Sequence, residues 1–364
     1  MALIPCQRAL FDIPEDVAYF DCAKMSPLLR SAVAAGQHGL ARKARPWAIN
    51  APDFFDESER VRTLFARLIG ATADDVAIIP SVSYGLATVA ANAVEPGQTI
   101  VLLAEDFPSI ALTVMDLARR IGARLVTVER PDDGNWTPAL IAAIDERTAL
   151  VCSPHVHWTD GGRIDLVAVG ERCRAVGAAL ALDTTQSLGA LPLDLAAVDP
   201  DFMVATAYKW LLGPYSIGFL YAAPRRQEGR AIEQSWIARK GSHDFRRLLP
   251  YQEAYEKGAR RFDMGERSNF ALLPAAGAAI EQMLAWGVAN ISETLGEMTG
   301  RIAARLGDRV EAIPARWRGP HFLSVRFRAP LADDVGERLA AANVHVSLRG
   351  DRMRITPHLY NDEA

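Results

Sequence analysis

Between residues 58 and 223 the sequence alternates short apolar segments with amphipathic helical segments, and this pattern limits the possible folds more than any other feature. Val, Leu and Ile dominate the apolar segments, which predicts strands buried on both faces of a sheet. The predicted strands are 76–80, 99–105, 124–129, 149–154, 178–183, 201–206 and 217–223. The predicted helices are 58–69, 84–93, 110–121 and 166–176. We therefore predict an α/β fold whose mainly parallel sheet is covered by helices on both faces.

The two ends of the chain follow a different pattern. The last two predicted strands are joined by a segment too short for a parallel crossover, which predicts one antiparallel member of the sheet. After Leu272 the pattern changes to helices at 272–286 and 291–306, followed by strands near 322–327, 344–348 and 352–357. We predict a large domain at residues 51–270, a smaller α+β C-terminal domain at 271–364, and an N-terminal segment, 1–50, of isolated short elements that joins the small domain.

Composition excludes several classes of function. The net charge of −4 over 364 residues leaves no basic surface for nucleic acid or an anionic membrane. No apolar stretch reaches the length of about 20 residues that spans a bilayer, and the N-terminus lacks the pattern of a signal peptide. The four cysteines show no metal-binding spacing. These observations predict a soluble, cytoplasmic protein that binds no metal, nucleic acid or membrane.

Polar residues that directly follow predicted strands are the first candidates for a site, because open α/β sheets bind ligands at the carboxyl ends of their strands. Asp183 ends an apolar strand in "ALALDTTQSLGA". A carboxylate is costly to bury there unless it meets a cation or several donors. The alternative is an N-cap for the following turn.

Lys209 follows the next predicted strand, in "VATAYKWLLGP". Its bulky apolar neighbours predict a desolvated amine with a lowered pKa, which is what a Schiff-base lysine requires. The alternative is an ordinary surface lysine whose alkyl chain packs on apolar neighbours.

The segment "PSVSYGLAT", residues 80–88, joins a predicted strand to a helix. Its small residues Ser81, Ser83 and Gly85 let the backbone approach an anion, and the N–H groups of a helix start favour phosphate. The segment matches neither the P-loop nor the GxGxxG dinucleotide fingerprint. A plain helix cap is the alternative.

In this order, the phosphate loop, the aspartate followed by Gln186, and the lysine resemble the class V aminotransferase group of fold-type I pyridoxal 5′-phosphate (PLP) enzymes. This group includes cysteine desulfurases, kynureninases and isopenicillin N epimerase-like proteins. The resemblance runs from about Tyr19 to Asn361 and is strongest in "HVHWTDGGRIDL", "ALDTTQSLGALPLDL", "DFMVATAYKWLLGPYSIGFLY" and "RMRITPHLYN".

The resemblance implies catalytic roles for two residues. Lys209 would carry the cofactor and move the α-proton of the substrate, and Asp183 would pair with the pyridinium nitrogen. Gln186 and His157 would lie near the phenolic oxygen, and Phe107 would stack on the cofactor ring. The alternatives are a core aromatic for Phe107 and a hydrogen-bonded structural histidine for His157.

The resemblance also implies anion-binding roles. Val82 and Ser83 would bind the cofactor phosphate, with help from Thr206 and Tyr208. Arg354 would hold the α-carboxylate of the substrate, because its planar guanidinium suits a bidentate contact. A surface ion pair is the alternative for Arg354.

Departures from the desulfurase pattern narrow the choice within the family. Desulfurases stack a histidine where this chain has Phe107, and no cysteine follows Cys173, so a persulfide-forming thiolate is missing from the expected region. Asn269 in "RSN" and Trp236 in "QSWIARK" resemble kynureninase elements that would reach the phosphate of a partner subunit. The resemblance therefore implies a homodimer with shared active sites.

The function predicted from the sequence is that of a PLP-dependent enzyme acting on an α-amino acid, with kynureninase-like lyase or hydrolase chemistry or transaminase chemistry. The alternatives are an amino-acid epimerase, a desulfurase-like protein without the persulfide cysteine, and a non-catalytic scaffold with the PLP fold. All the enzymatic alternatives share Lys209 and Asp183, so the sequence does not separate them.

Overall fold

The computed structural model of the chain describes residues 3–362. Its strands, β1 to β13 in chain order, are Ala18–Tyr19, Val76–Ile79, Thr99–Leu103, Arg124–Val128, Thr148–Pro154, Ala179–Asp183, Phe202–Thr206, Gly218–Ala222, Val310–Ala312, Leu323–Phe327, Val344–His345, Ser347–Arg349 and Arg352–Ile355. Its α-helices, α1 to α10, are Arg30–Arg42, Asp56–Ile69, Val82–Ala90, Pro108–Ile121, Trp136–Ala143, Leu166–Val176, Leu195–Val198, Leu272–Trp286, Val288–Leu306 and Val335–Ala341.

A seven-stranded sheet forms the centre of the protein. Its strand order is β2-β8-β7-β6-β5-β3-β4. The pairs from β7 to β4 are parallel, whereas β8 runs antiparallel to both β7 and β2. The predicted mainly parallel sheet and its antiparallel member are confirmed. The segment that joins β7 to β8 carries Lys209. This reversal of chain direction places the lysine just beyond the carboxyl end of β7.

Both faces of the sheet are covered because successive strand residues point to opposite sides. In β2, Val76 and Ile78 pack with α2 on one face, where Phe65 stacks on Phe219 at 4.1 Å between ring centroids. Ala77 and Ile79 pack on the other face with α3 and α4. Burial of the strands on both faces accounts for their continuous apolar sequence.

A second sheet lies in the C-terminal part, with strand order β12-β13-β10-β9 and antiparallel pairing throughout. The predicted strand at 344–348 is two strands, since β11 pairs with β1 and β12 pairs with β13. The N-terminal segment therefore contacts the C-terminal part through β1. The domain boundaries at residues 50 and 270 stay predictions.

Helix α1 was not predicted, since only isolated short elements were expected in residues 1–50. Two glycines inside the helix weaken its local signal, because glycine is a poor helix former. The structure explains Gly39, where an added Cβ would lie 1.7 Å from the carbonyl oxygen of Phe270. The close packing of α1 on the start of α8 stabilises this helix. A contact between segments so far apart in the chain leaves no periodic pattern in the local sequence.

Within residues 3–362 no single helix has both the length and the apolar content to cross a membrane. The consecutive helices Leu272–Trp286 and Val288–Arg309 meet these criteria only as a pair, and they are bent by 78°.

A buried ion network ties the central sheet to the segment before α8. Asp263 accepts hydrogen bonds from Arg62 Nη2 at 2.8 Å, from Arg267 Nη1 at 2.8 Å and from the Ile78 backbone N–H at 2.8 Å. All three charged side chains are almost fully buried. The partly exposed Glu59 is the other carboxylate near both arginines, at 3.2 Å from Arg62 and 4.0 Å from Arg267. Removal of Asp263 would therefore leave two buried cations without their buried partner.

We predict that Asp263→Ala lowers the free energy of unfolding by about 3–5 kcal/mol, measured by urea denaturation. The control is Arg246→Ala, which removes an ion pair to Asp244 through a side chain that is 90% exposed. That control is expected to leave the unfolding midpoint almost unchanged. Equal effects of the two substitutions would contradict the role given to the buried network.

Candidate active site

A cavity of about 260 Å³ lies at the carboxyl ends of β5, β6 and β7, beside the start of α3. The structure brings eight of the predicted site residues together in its lining: Val82, Ser83, Phe107, Asp183, Gln186, Thr206, Tyr208 and Lys209. They come from four separate segments of the chain. The parallel strands align these segments, because the carboxyl ends of parallel strands meet at the same edge of a sheet.

Lys209 is buried, with 5% of its surface exposed. Burial lowers the pKa of its amine to about 8, and the negative charge of Asp183 opposes that shift. Nζ lies 5.3 Å from the centroid of the Phe107 ring and 5.6 Å from that of Tyr208. A substantial fraction of the amine is therefore neutral near physiological pH, and a neutral amine is the nucleophilic form.

Backbone hydrogen bonds help to hold the loop that carries Lys209. The Ala207 N–H donates to the Ile217 carbonyl at 2.9 Å, and the Leu212 N–H donates to the Lys209 carbonyl at 3.0 Å. Leu212 and Ser216 adopt left-handed backbone conformations, with φ of 53° and 65°. These are uncommon for residues with a side chain, so tertiary contacts impose the path of this loop.

Asp183 ends β6 and is also buried. Burial raises the pKa of its carboxyl group, whereas hydrogen bonds from Thr185 and the charge of Lys209 lower it. The Thr185 N–H donates to Oδ1 at 2.8 Å, so the capping role considered for Asp183 is also present. The two roles are compatible because a carboxylate has two oxygens.

Helix α3 begins at Val82, two residues earlier than predicted, and this places its first turn at the cavity. The Ser81 hydroxyl accepts the Tyr84 N–H at 3.2 Å, while the first N–H groups of a helix have no acceptor within it. At Gly85 an added Cβ would lie 2.6 Å from Val204 Cγ1, so only glycine lets α3 lie this close to β7. The helix therefore directs free N–H groups into the cavity.

Two further groups complete this end of the cavity. Thr206 Oγ1 is buried and has no hydrogen-bond partner among the atoms of residues 3–362. The Ser83 hydroxyl donates to the Ser109 hydroxyl at 3.0 Å. An unpaired buried hydroxyl beside a helix start is typical of a place where an anionic ligand supplies the missing partner.

Gln186 is held in place from both ends of its amide. Nε2 donates to the Ala23 carbonyl at 3.0 Å, and Oε1 accepts the Trp210 indole N–H at 3.0 Å. An amide nitrogen carries two N–H donors, so one remains available for a ligand in the cavity. Ala23 belongs to the N-terminal segment, which thus helps to position a residue of the central sheet.

His157 does not line the cavity, contrary to the sequence-based expectation. Its side chain is fully buried, stacks on Trp136, contacts the Ala104 carbonyl through Nε2 at 3.2 Å and meets Thr159 Oγ1 through Nδ1 at 3.0 Å. Burial lowers its pKa to about 3, so the ring is neutral. The structure corresponds to the alternative of a hydrogen-bonded structural histidine, and it does not support a contact between His157 and a cofactor.

The neighbouring residue Trp158 faces the cavity instead, and sequence reasoning missed it. It lines the cavity, its ring meets that of Phe107 edge to face at 5.5 Å, and its indole N–H donates to the Glu105 carbonyl at 2.7 Å. The motif "HVHWTDG" contained the right segment, but these residues lie in a turn after β5, where the sequence gives no periodic pattern to show which side chain faces the cavity.

Asp106 is a second residue that the sequence reasoning missed. It lines the cavity, it is 6% exposed, and its Oδ2 has no hydrogen-bond partner within residues 3–362. Burial raises the pKa of its carboxyl group to about 8, with a smaller contribution from Asp183. A neutral acid thus lies near the ionisable pair, and its position directly after the predicted strand 99–105 was the available sequence signal.

Arg354 is buried with 2% exposure, so the alternative of a surface ion pair does not apply. Nη1 donates to the Trp158 carbonyl at 3.0 Å, and Nη2 lies 3.9 Å from Asp21 Oδ1. Arg354 is not part of the cavity lining, but its charge contributes to the lowered pKa of Lys209, which places it nearby. Burial lowers its own pKa to about 10.

Trp236 and Asn269 lie away from this cavity. Trp236 is 45% exposed and packs edge to face against Phe55 and Phe245. Asn269 caps α8, where its Oδ1 accepts the Leu272 N–H at 2.8 Å. The proposed contacts of both residues with a cofactor phosphate depend on a partner subunit.

The chain is similar to known proteins over most of its length. The profile of the family described as Aminotransferase class-V matches residues 19–357. The chain is 30% identical over 314 residues to YcbU, an uncharacterized aminotransferase of Bacillus subtilis, which covers 86% of this chain and 82% of that protein. It is 29% identical over 272 residues to the kynureninase of Deinococcus radiodurans, covering 71% and 64% of the two chains.

Solved structures show the same fold. The apo cysteine desulfurase of Thermococcus onnurineus NA1 superposes with a TM-score of 0.86 at 19% identity, covering 100% of this chain and 96% of that chain. A C-DES variant with glycine covalently linked to its PLP cofactor gives a TM-score of 0.85 at 19% identity, covering 98% and 96%. The family match extends across the central sheet, the cavity and the C-terminal sheet. The chain therefore belongs to the class-V aminotransferase family and is a PLP-dependent enzyme.

Proposed function

We propose that the cavity holds PLP and that the enzyme processes an α-amino acid there, by transamination or by kynureninase-like cleavage. One observation carries the proposal: a buried lysine of lowered pKa shares a cavity with a buried aspartate, and the cavity ends at a helix start. Each of these three features, taken alone, has another explanation. Together they match the amine, the carboxylate and the anion site that PLP requires.

The residues present fit the cofactor in chemistry and in order. Lys209 would hold its aldehyde carbon and Asp183 its ring nitrogen, while the first turn of α3 and the unpaired Thr206 hydroxyl would hold its phosphate. Phe107 and Tyr208 supply apolar ring surface within 5.6 Å of the lysine amine. The cavity therefore presents a carboxylate for a cationic ring nitrogen and N–H and O–H donors for an anion.

When bound, PLP supplies an electron sink for breaking a bond at the α-carbon of an amino acid. Asp183 would keep a proton on the ring nitrogen through its negative charge. Lys209, with a pKa of about 8, is suited to accept and return a proton near neutral pH. Arg354 would hold the substrate carboxylate, and the Phe107 and Trp158 rings would exclude water from the reacting end.

The cysteines argue against persulfide chemistry. Cys22, Cys152 and Cys173 are buried, and burial raises the pKa of each thiol, whereas Cys6 is exposed. None of the four lines the described cavity. A thiolate is the nucleophile in such a reaction, so the similarity to desulfurases in fold does not extend to their sulfur transfer. The names of the relatives in sequence, an aminotransferase and a kynureninase, support the two proposed chemistries.

We also propose that two copies of the chain form a dimer with shared active sites. Trp236 belongs to an exposed surface with Phe245, Leu249 and Tyr251, of which Leu249 is 67% and Tyr251 87% exposed. Such an exposed apolar surface is typical of a protein interface. A second copy seated there would bring its own Trp236 and Asn269 towards the cofactor phosphate.

The first prediction of the proposal concerns the cofactor spectrum. Purified enzyme with PLP is expected to show a visible absorption band that Lys209→Ala lacks. A panel of L-amino acids should change this band, and mass spectrometry of the products separates transamination, which gives a 2-oxo acid, from side-chain cleavage. Absence of the band after addition of PLP would refute the assignment, and a band unresponsive to every amino acid would favour the scaffold alternative.

A second prediction follows from the lowered pKa of Lys209. Between its folded pKa of about 8 and the value of about 10.4 of an ordinary lysine, the unfolded state binds the extra proton. The stability of the cofactor-free protein should therefore rise with pH across this interval, by about 3 kcal/mol in total from this residue.

The measurement is urea denaturation of the cofactor-free protein at pH 7.5, 8.5 and 9.5, compared with Lys209→Met, which has no ionisable group there. The wild-type protein should gain stability with pH relative to this variant. Lys24→Met serves as a control at an exposed lysine. Parallel pH dependence of the wild type and Lys209→Met would contradict the shift.

A third prediction tests the shared site. Trp236→Ala is expected to weaken PLP binding about tenfold, since a hydrogen bond to a charged group is lost. Mixing Trp236→Ala with Lys209→Ala should restore a site of wild-type affinity, because the hybrid dimer combines the intact lysine of one chain with the intact tryptophan of the other. No recovery on mixing, with dimers present by ultracentrifugation, would show that Trp236 does not act across the interface.

A further inference from the structure

The two faces of the C-terminal sheet differ sharply in character. One face is apolar and buries Leu323, Val325, Met353 and Ile355. The strand register places the alternate residues on the other face, and these residues are polar or cationic. The second face is the one from which Arg354 reaches Trp158 at the catalytic cavity.

Three arginines form a row across this polar face. Arg352 in β13 lies directly opposite Arg326 of β10 on one side and opposite Arg349 of β12 on the other. Like charges directly opposite each other in a sheet are destabilising. Such a row of arginines reduces the stability of the sheet, and its presence therefore indicates a role in ligand binding.

The carboxylates nearby do not neutralise the whole row. Arg326 lies 3.7 Å from Glu311 and 3.4 Å from Asp351 at an exposed edge. Within residues 3–362, no carboxylate lies within ion-pair distance of Arg349 or Arg352. The next row inward is Ser324, Arg354 and Ser347, where Asp21 lies near Arg354 and accepts the Ser347 hydroxyl at 2.5 Å. The one nearby carboxylate of that inner row is therefore shared between Arg354 and Ser347.

Arg349 is the member of the outer row that lies on β12, diagonally across from Arg354 on the same face of the sheet. Its positive charge contributes to the lowered pKa of both Lys209 and Arg354. Its side chain is partly exposed, and Nη1 donates a hydrogen bond to the carbonyl of the neighbouring Leu348 at 2.7 Å. Arg352 and Arg326 instead line a separate cavity together with Arg130 and Asp160, and Arg349 does not.

We propose that Arg349 is a substrate-binding residue that holds a second acidic group, so that the enzyme takes acidic α-amino acids such as dicarboxylic amino acids or their sulfinate analogues. The inference rests on the proposed function, in which Arg354 holds the α-carboxylate. An amino acid with one carboxylate would occupy Arg354 and leave Arg349 without an anion. A second carboxylate or sulfinate at the side-chain end supplies a planar or pyramidal anion that matches the donor fork of a guanidinium group.

The test is a titration of the PLP-loaded enzyme, followed by the change in cofactor absorption. The probes are L-aspartate, L-glutamate and L-cysteine sulfinate, compared with L-alanine, L-valine and L-kynurenine. The wild-type enzyme is expected to bind at least one acidic amino acid about tenfold or more tightly than the neutral ones, as a charge-assisted hydrogen bond allows.

Arg349→Gln should weaken the binding of acidic amino acids about tenfold or more and change the binding of neutral ones by less than about threefold. Arg349→Lys keeps the charge and should retain part of the preference. Arg328→Gln is the matched control, since Arg328 directly follows β10 of the same sheet, is 61% exposed and pairs with Glu311. It should leave all titrations unchanged.

Equal weakening of acidic and neutral amino acids in Arg349→Gln, or no preference for acids in the wild-type enzyme, would overturn the inference. Failure of the proposed function has a different signature, since no amino acid would then change the cofactor band. The band itself reports a folded cofactor site in every variant, so a misfolded Arg349 variant is recognised by its loss, and Arg349→Lys then decides the matter.

Discussion

Lys209 and Asp183 are two ionisable groups buried in one cavity, and the rest of the site depends on the balance between them. Burial alone would drive both groups to their neutral forms. The charge of each group opposes that effect in the other. The pKa of the amine is therefore lowered only to about 8, and the carboxyl group keeps a cationic neighbour. In the proposed function, Asp183 would pair with the cationic ring nitrogen of the cofactor and Lys209 would hold its aldehyde carbon.

The backbone brings these groups together through the order and direction of the strands. Asp183 ends β6, and Lys209 lies in the loop after β7, where the chain reverses into the antiparallel β8. Gly85 lets the first turn of α3 close the opposite end of the cavity. The C-terminal sheet then adds Arg354 from outside this framework, so in the proposed function the group that holds the substrate carboxylate belongs to a different sheet from the groups that hold the cofactor. This division allows the substrate preference to change without disturbing the cofactor contacts.

Sequence reasoning was most accurate where the local pattern and the long-range packing agree. The alternating strands and helices predicted the central sheet, including its antiparallel member, because strands buried on both faces must be apolar. It was least accurate where one residue of register decides the outcome. His157 and Trp158 are neighbours, yet one is buried against Trp136 and the other faces the cavity. Helix α1 was missed because its packing on α8 relies on glycine, which is a weak local signal for a helix.

The sequence by itself determined the family, the class of fold and the pairing of an aspartate with a lysine, because these depend on residue type, order and spacing. Only the tertiary structure decided that Arg354 is buried beside Trp158 and that Asp106 lies in the cavity as a neutral acid. It also decided that three arginines form one row across the C-terminal sheet. Burial and cross-strand register arise from contacts between distant segments, and no local pattern encodes which side chains such contacts bring together.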